Sequence, residues 1–177
     1  LMAHNSLMYL MLGTCPYITY AVGTLSWFST TPKQMHWEAA KCVFQYIQAT
    51  KDMELRFDGI EVSMDMDFQG YSNAGWSQDP YNSCSTSRFL FLSNRGAISW
   101  SSKQQSMVAL STTESEYIGL SLAGQHLACH HPQFRVRTKH IQRKYHFIQD
   151  DLVGKGEAVI RYMPTDDMVA DILTKPL

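Results

Sequence analysis

GAISWSSKQQSMVALSTTESEYIGLSLAGQ, residues 96–125, reads as a strand, a polar turn and a helix. The alternation Ala97, Ile98, Ser99, Trp100, Ser101 suits a strand with one buried face. Ser111, Thr112 and Thr113 offer helix caps, and Glu114 follows Ser111 at the spacing of a capping box. At the helical period Leu120, Ala123, Gly124 and Leu127 form one apolar stripe, and Glu116 falls inside it. Glu114 falls with Ser121 and Gln125 on the wet face, so a cap explains it. Two readings stand for Glu116. It closes a second capping box with Thr113 and stays near water, or it is a carboxylate turned toward a site.

The totals bound the rest. A chain of 177 residues with 45% hydrophobic and 18% charged residues builds one ordinary core, or one domain and part of another. Its net charge of −1 gives no overall pull toward nucleic acid, so any such contact is local. Cys15, Cys42, Cys84 and Cys129 lie far apart with no C-x-x-C, which argues against zinc ribbons and disulfide frameworks.

The stretch 96–125 resembles the ribonuclease H domain at the end of copia-type retrotransposon polyproteins. In that family the Glu of "STTEAEY" is a catalytic metal ligand, and its counterpart is Glu116. The likeness extends both ways. Ser6–Thr50, including His36-Trp37-Glu38-Ala39-Ala40-Lys41, is similar to the end of the family's reverse transcriptase region. Cys15, Trp27, Cys42 and Gln45 stand where the family carries Arg, and Tyr17 where it carries Asp. The Arg losses are single transitions at CpG-containing codons, the pattern of a copy that decays without selection; intact sister copies sharing them would refute it. The upstream part of the family, which holds the polymerase carboxylates, has no counterpart here.

Residues 1–32 contain no Asp, Glu, Lys or Arg. Gly13-Thr14-Cys15-Pro16 interrupts the run, and its threonines and tyrosines keep it polar for a membrane span. It reads as two short buried helices broken at Pro16, with a membrane anchor through residues 7–28 as a weaker alternative that carbonate extraction tests. It lacks a basic leader and a clear cleavage site, so a cytoplasmic or nuclear location without a signal peptide is expected. Trp37–Thr50 is a further helix with Ala40, Val43, Phe44 and Ile47 on its inner side.

Beyond it, Met53–Phe57 and Val62–Phe68 read as strands around an Asp58-Gly59 turn. Gly70-Tyr71-Ser72-Asn73-Ala74-Gly75-Trp76 resembles "GYSDADW", whose first Asp bridges the family's metals on the first strand. Here that position is Asn73, and the second Asp is Gly75. An amide oxygen ligates a hard cation without bringing charge to it. Asp67 lies roughly 20 Å away along an extended strand and Asp79 sits in a turn, so neither replaces it. Ser83–Phe89 resembles "RKSTSGY", with Arg88 in place of Gly. Phe89–Leu92 should form a hairpin with Ala97–Ser101 through Asn94-Arg95-Gly96.

After Gln125 the family continues to a fourth strand ending in "DNQ", whose Asp is the third ligand, and a further helix. Here His126–His131 runs straight into Pro132–Ile141, which matches "NPQFRARTKHI". A strand and a helix are missing near 129–131, and a deletion joint accounts for His126, Cys129, His130 and His131 more simply than a zinc site. Arg135, Arg137, Lys139, His140, Arg143 and Lys144 form a basic tract able to grip phosphates, or else a solvated helix start. Tyr145, Phe147, Ile148 and Leu152 mark a helix ending at Gly154. Ala158–Tyr162 is a strand, and Thr165 caps a last helix with Met168, Val169, Ile172 and Leu173 inward. Val169–Leu177 matches the closing "VADILTKPL", which makes Asp171 the last carboxylate.

The expected architecture is α/β: a ribonuclease H-like mixed sheet with flanking helices over residues 53–177, lacking one strand-helix unit. A helical reverse-transcriptase tail over residues 1–52 precedes it. The resemblance implies hydrolysis of RNA in RNA–DNA hybrids by two magnesium ions roughly 4 Å apart, held by four acids. The set here is Asn73, Glu116, an absent third ligand and Asp171, so two carboxylates face a +4 pair and no activity is expected. Glu116 and Asp171 are the remaining metal ligands. The implied partners are the hybrid and other parts of the polyprotein, with no membrane. The alternative is a binding remnant that grips hybrids through residues 135–144, recognisable by steep loss of affinity with salt.

Overall fold

The computed structural model describes residues 2–57, 68–77, 83–130, 153–154 and 159–173. In order they form α1 (Met2–Gly13), α2 (Thr19–Ser26), α3 (Gln34–Ala49), β1 (Phe68–Gly75), β2 (Thr86–Ser93), β3 (Gly96–Gln104) and α4 (Thr112–His130). Contacts divide the chain into two compact units. One comprises Leu1–Gln69, Leu90–Lys103 and Asp171–Leu177; the other comprises Gly70–Phe89 and Gln104–Ala170.

The first unit owes its helical core to the uncharged stretch. Pro16 cannot continue α1 and starts a 3-10 turn, Pro16–Ile18, from which α2 departs. The break lets Leu7, Met11, Ile18, Val22 and Val43 meet in one apolar cluster, each 8% exposed or less. Hydroxyls within the stretch are satisfied locally: Thr19 Oγ1 donates to Pro16 O at 2.6 Å and Thr24 Oγ1 to Tyr20 O at 2.9 Å. Two helices broken at Pro16 are therefore what the sequence reading anticipates. Among the described residues no helix is long and apolar enough to cross a membrane. On α3, Val43 is buried at 3% exposed, but Phe44 is 36% exposed, against the expectation that it turns inward. The α3 stripe is thus narrower than four residues.

β1, β2 and β3 form an antiparallel sheet in the order β1-β2-β3. The β2–β3 hairpin turns at Asn94 and Arg95, whose φ values of 50° and 60° give the paired positive angles of a two-residue primed turn. Gly96 follows because nothing larger fits: an added Cβ would strike the Phe57 ring and lie 2.7 Å from Arg56 O. Trp100 Nε1 donates to Met11 O at 2.8 Å, anchoring β3 to the helical core of its own unit.

Several expectations are corrected. Across the three described strands the sheet is antiparallel. Met53–Phe57 is not a strand, and neither are the described residues of the Ala158–Tyr162 segment. There Val159 and Tyr162 are 78% and 90% exposed, so the apolar alternation has no sheet neighbour to bury it. The last helix is replaced by two 3-10 turns, Thr165–Asp167 and Val169–Leu173, with Pro164 rather than Thr165 at the cap position of the first. Ala170 and Leu173 are the buried pair, while Val169 and Ile172 are largely exposed, because a 3-10 turn eclipses every third residue. Most of Val62–Phe68, the Asp58-Gly59 turn, Asp67, Asp79, residues 131–152, Ala158 and 174–177 lie outside the described residues.

Candidate functional site

The second unit brings the end of β1 against α4. The helix starts at a working cap: Ser111 Oγ accepts from Glu114 N–H at 3.1 Å, and Glu114 Oε2 accepts from Leu110 N–H at 2.7 Å. This is the expected capping box with its return bond made one residue earlier. Small residues then let the helix settle closely. A Cβ added at Gly119 would lie 3.5 Å from Ser72 Oγ, from Asn73 O and from Ala74 Cβ.

Glu116 stands one turn before Gly119 on α4, the helix that meets β1 at Ser72 and Ala74. Asn73 and Glu116 are thus brought to adjoining elements. Ser72 and Ala74 meet the helix, so strand alternation sends the Asn73 side chain out on the other face of β1. Glu116 as a residue is solvent-accessible, yet the carboxyl end nearest β1 is partly desolvated. That desolvation lifts its pKa above the ordinary 4.5, outweighing the downward pulls of the Ala74 hydrogen bond and of the Arg88 charge. α4 begins at Thr112 under the Ser111 cap, so Thr113 lies inside the helix rather than at a second cap.

Arg88 is 2% exposed on β2. Its neighbours Ser87 and Phe89 face α4. Gln105 Nε2 bridges Ser87 Oγ at 2.8 Å and Ser115 O at 2.9 Å, and the Phe89 ring lies 4.7 Å from that of His126. The Gln105 backbone N–H also donates to Ser85 O at 2.8 Å. Sequence reasoning missed this polar seam. Its only signal was the density of small polar residues in Ser83–Ser87 and around Gln105, which looks like a loop composition. Ser121 is likewise buried, at 2% exposed, rather than on the wet face, and Ser115 is fully buried.

Asp171 lies on the Val169–Leu173 turn, half-buried, in the first unit. The tract Arg135, Arg137, Lys139, His140, Arg143 and Lys144 lies outside the described residues. Among the described residues no group of three or more His, Cys, Asp or Glu side chains is placed to hold a metal ion. A magnesium pair wants charged oxygens. Asn73 offers a neutral amide on the far face of β1, and the charge of the buried Arg88 guanidinium acts on the Glu116 carboxylate. These residues do not fit the ion pair that the resemblance implies.

Over 98% of its length the chain is 36% identical to the retrovirus-related Pol polyprotein from transposon TNT 1-94 of Nicotiana tabacum. It is 32% identical, again over 98%, to that from transposon RE2 of Arabidopsis thaliana. The chain belongs to the Pol polyproteins of copia-type transposons. It spans 15% and 14% of the length of these two relatives. The tobacco Pol alignment runs over 201 positions against a chain of 177 residues, so at least 24 of them have no counterpart here. This Pol segment is also 44% identical, over 71% of its length, to the secreted RxLR effector protein 161 of Plasmopara viticola, covering 86% of that protein. No family model matches the chain. No solved structure matches it.

Proposed function

We propose that this Pol segment is the end of a reverse transcriptase region, residues 1–52, joined to a catalytically silent ribonuclease H remnant, residues 53–177. Its ancestral chemistry is hydrolysis of the RNA strand of RNA–DNA hybrids. The observation that carries the reading is the pairing of β1 with α4. The position matched to the family's first carboxylate is an amide, Asn73, and its side chain leaves β1 on the face away from the helix that carries Glu116. Two further features support it. The surplus of at least 24 aligned positions in the tobacco relative is the size of one strand and one helix, the unit that carries the third ligand. The exposed, unpaired ribbon Val159–Tyr162 is what loss of a neighbouring strand leaves behind.

Charge decides between silence and activity. Phosphodiester cleavage by paired cations needs enough negative charge to collect both ions before substrate arrives. Asn73 and Glu116 together supply one negative charge against four positive ones. The test is incubation of the purified chain with a labelled RNA–DNA hybrid and magnesium. No magnesium-dependent cutting is expected; cutting that Glu116→Gln abolishes would overturn the reading.

A further inference from the structure

α1 ends with its donors diverted. In a regular helix Met11 O would accept from the Cys15 N–H, four residues on. Instead the Thr14 and Cys15 N–H groups both close on Leu10 O, at 3.0 and 2.9 Å. The next residue is Pro16, which has no N–H to give. Met11 is 8% exposed within the apolar cluster, where a carbonyl without a partner is costly. The donor comes from far along the chain. Trp100, part-buried on β3 and 89 residues away in sequence, donates its indole Nε1–H to Met11 O at 2.8 Å. An indole suits the place, because it brings one polar hydrogen on a large apolar ring and no acceptor that needs serving.

α2 runs beside the same strand: a Cβ added at Gly23 would lie 3.8 Å from Ser102 O. Leu90–Lys103 accordingly falls in one compact unit with the helices. We infer that Trp100 is a latch. Its indole N–H caps α1 at the carbonyl that the Pro16 break frees, and so ties the opening of the helical segment 2–26 to the opening of β3. The latch needs neither metal nor hybrid, so it stands apart from the question of nuclease activity. What it requires is the N–H itself; a phenyl ring would keep most of the apolar contact and none of the cap.

The experiment is hydrogen exchange followed by NMR on the full chain, at indole and backbone N–H groups, for the native sequence, Trp100→Phe and Trp27→Phe. Trp27 is the control, an exposed indole of the same unit. In the native chain the Trp100 indole N–H should exchange at least about ten-fold more slowly than that of Trp27. Trp100→Phe should lower protection about ten-fold at residues 7–22 and at 97–101 together, the size of one hydrogen bond to a buried carbonyl. Trp27→Phe should leave both stretches unchanged. Equal exchange of the two indoles, or a loss in Trp100→Phe confined to one of the two stretches or absent from both, would overturn the inference. Should Trp100→Phe not fold, the indole comparison in the native chain decides alone: slow exchange at Trp100 supports the latch and fast exchange refutes it.

Discussion

The two units bury different things. The helical unit closes over Leu7, Met11, Ile18, Val22 and Val43, an aliphatic cluster whose contacts are numerous and non-directional. The other unit buries Ser85, Ser87, Arg88, Gln105, Ser115 and Ser121, where each polar atom needs a partner at the right angle. Among the described residues, buried side-chain atoms of that second unit without a hydrogen-bond partner include Ser72 Oγ, Gln105 Oε1, Ser115 Oγ and Ser121 Oγ. An aliphatic cluster tolerates drift in the residues around it, since burial is proportional to area and indifferent to direction. A polar seam does not, because one altered partner leaves the other exposed to the full cost of desolvation.

This contrast can be broken from either side. Leu7→Ala carries the largest expected effect, a loss of about 2–5 kcal/mol in denaturant unfolding, because the broken helix pair cannot collapse into the space left. A loss well under that range would mean that the helical unit is loosely packed and that the contrast is one of degree. Gln105→Leu comes next. It leaves Ser87 Oγ without its Gln105 donor and should cost about 2 kcal/mol; an unchanged unfolding midpoint would show that water already serves that hydroxyl.

The smallest effect is electrostatic and concerns Glu116. Its pKa in the fold lies above the ordinary 4.5, so the folded chain binds a proton there more tightly than the unfolded chain does. Stability from this group is complete below 4.5 and declines as pH rises through the raised value. The difference in unfolding midpoint between the native chain and Glu116→Gln should therefore change with pH in that window and be flat above it. A difference independent of pH would place the carboxyl in open water.

Much of this was legible in the chain because it rested on short-range rules. Pro16 breaks a helix wherever it stands, Asn94-Arg95-Gly96 turns a hairpin, and Ser111 with Glu114 begins α4. What escaped depended on distance. Helical periodicity places Ser121 in solvent because it ranks residues by polarity, whereas the fold buries it at 2% exposed. Val159–Tyr162 has the composition of a strand, but a strand exists only beside another. At the site, the resemblance supplied Glu116 and the loss at Asn73. That the Asn73 side chain leaves β1 on the face away from α4 belongs to the three-dimensional fit of helix on strand and to no motif.

The ribbon at Val159–Tyr162 has a practical corollary. Its valine, isoleucine and tyrosine side chains stand in solvent on a backbone that belongs to no helix or strand, and such apolar, strand-forming residues are what foreign strands extend. In concentrated preparations this is the place from which clumping would spread, and a charged replacement such as Ile160→Lys is the conservative way to keep the protein in solution.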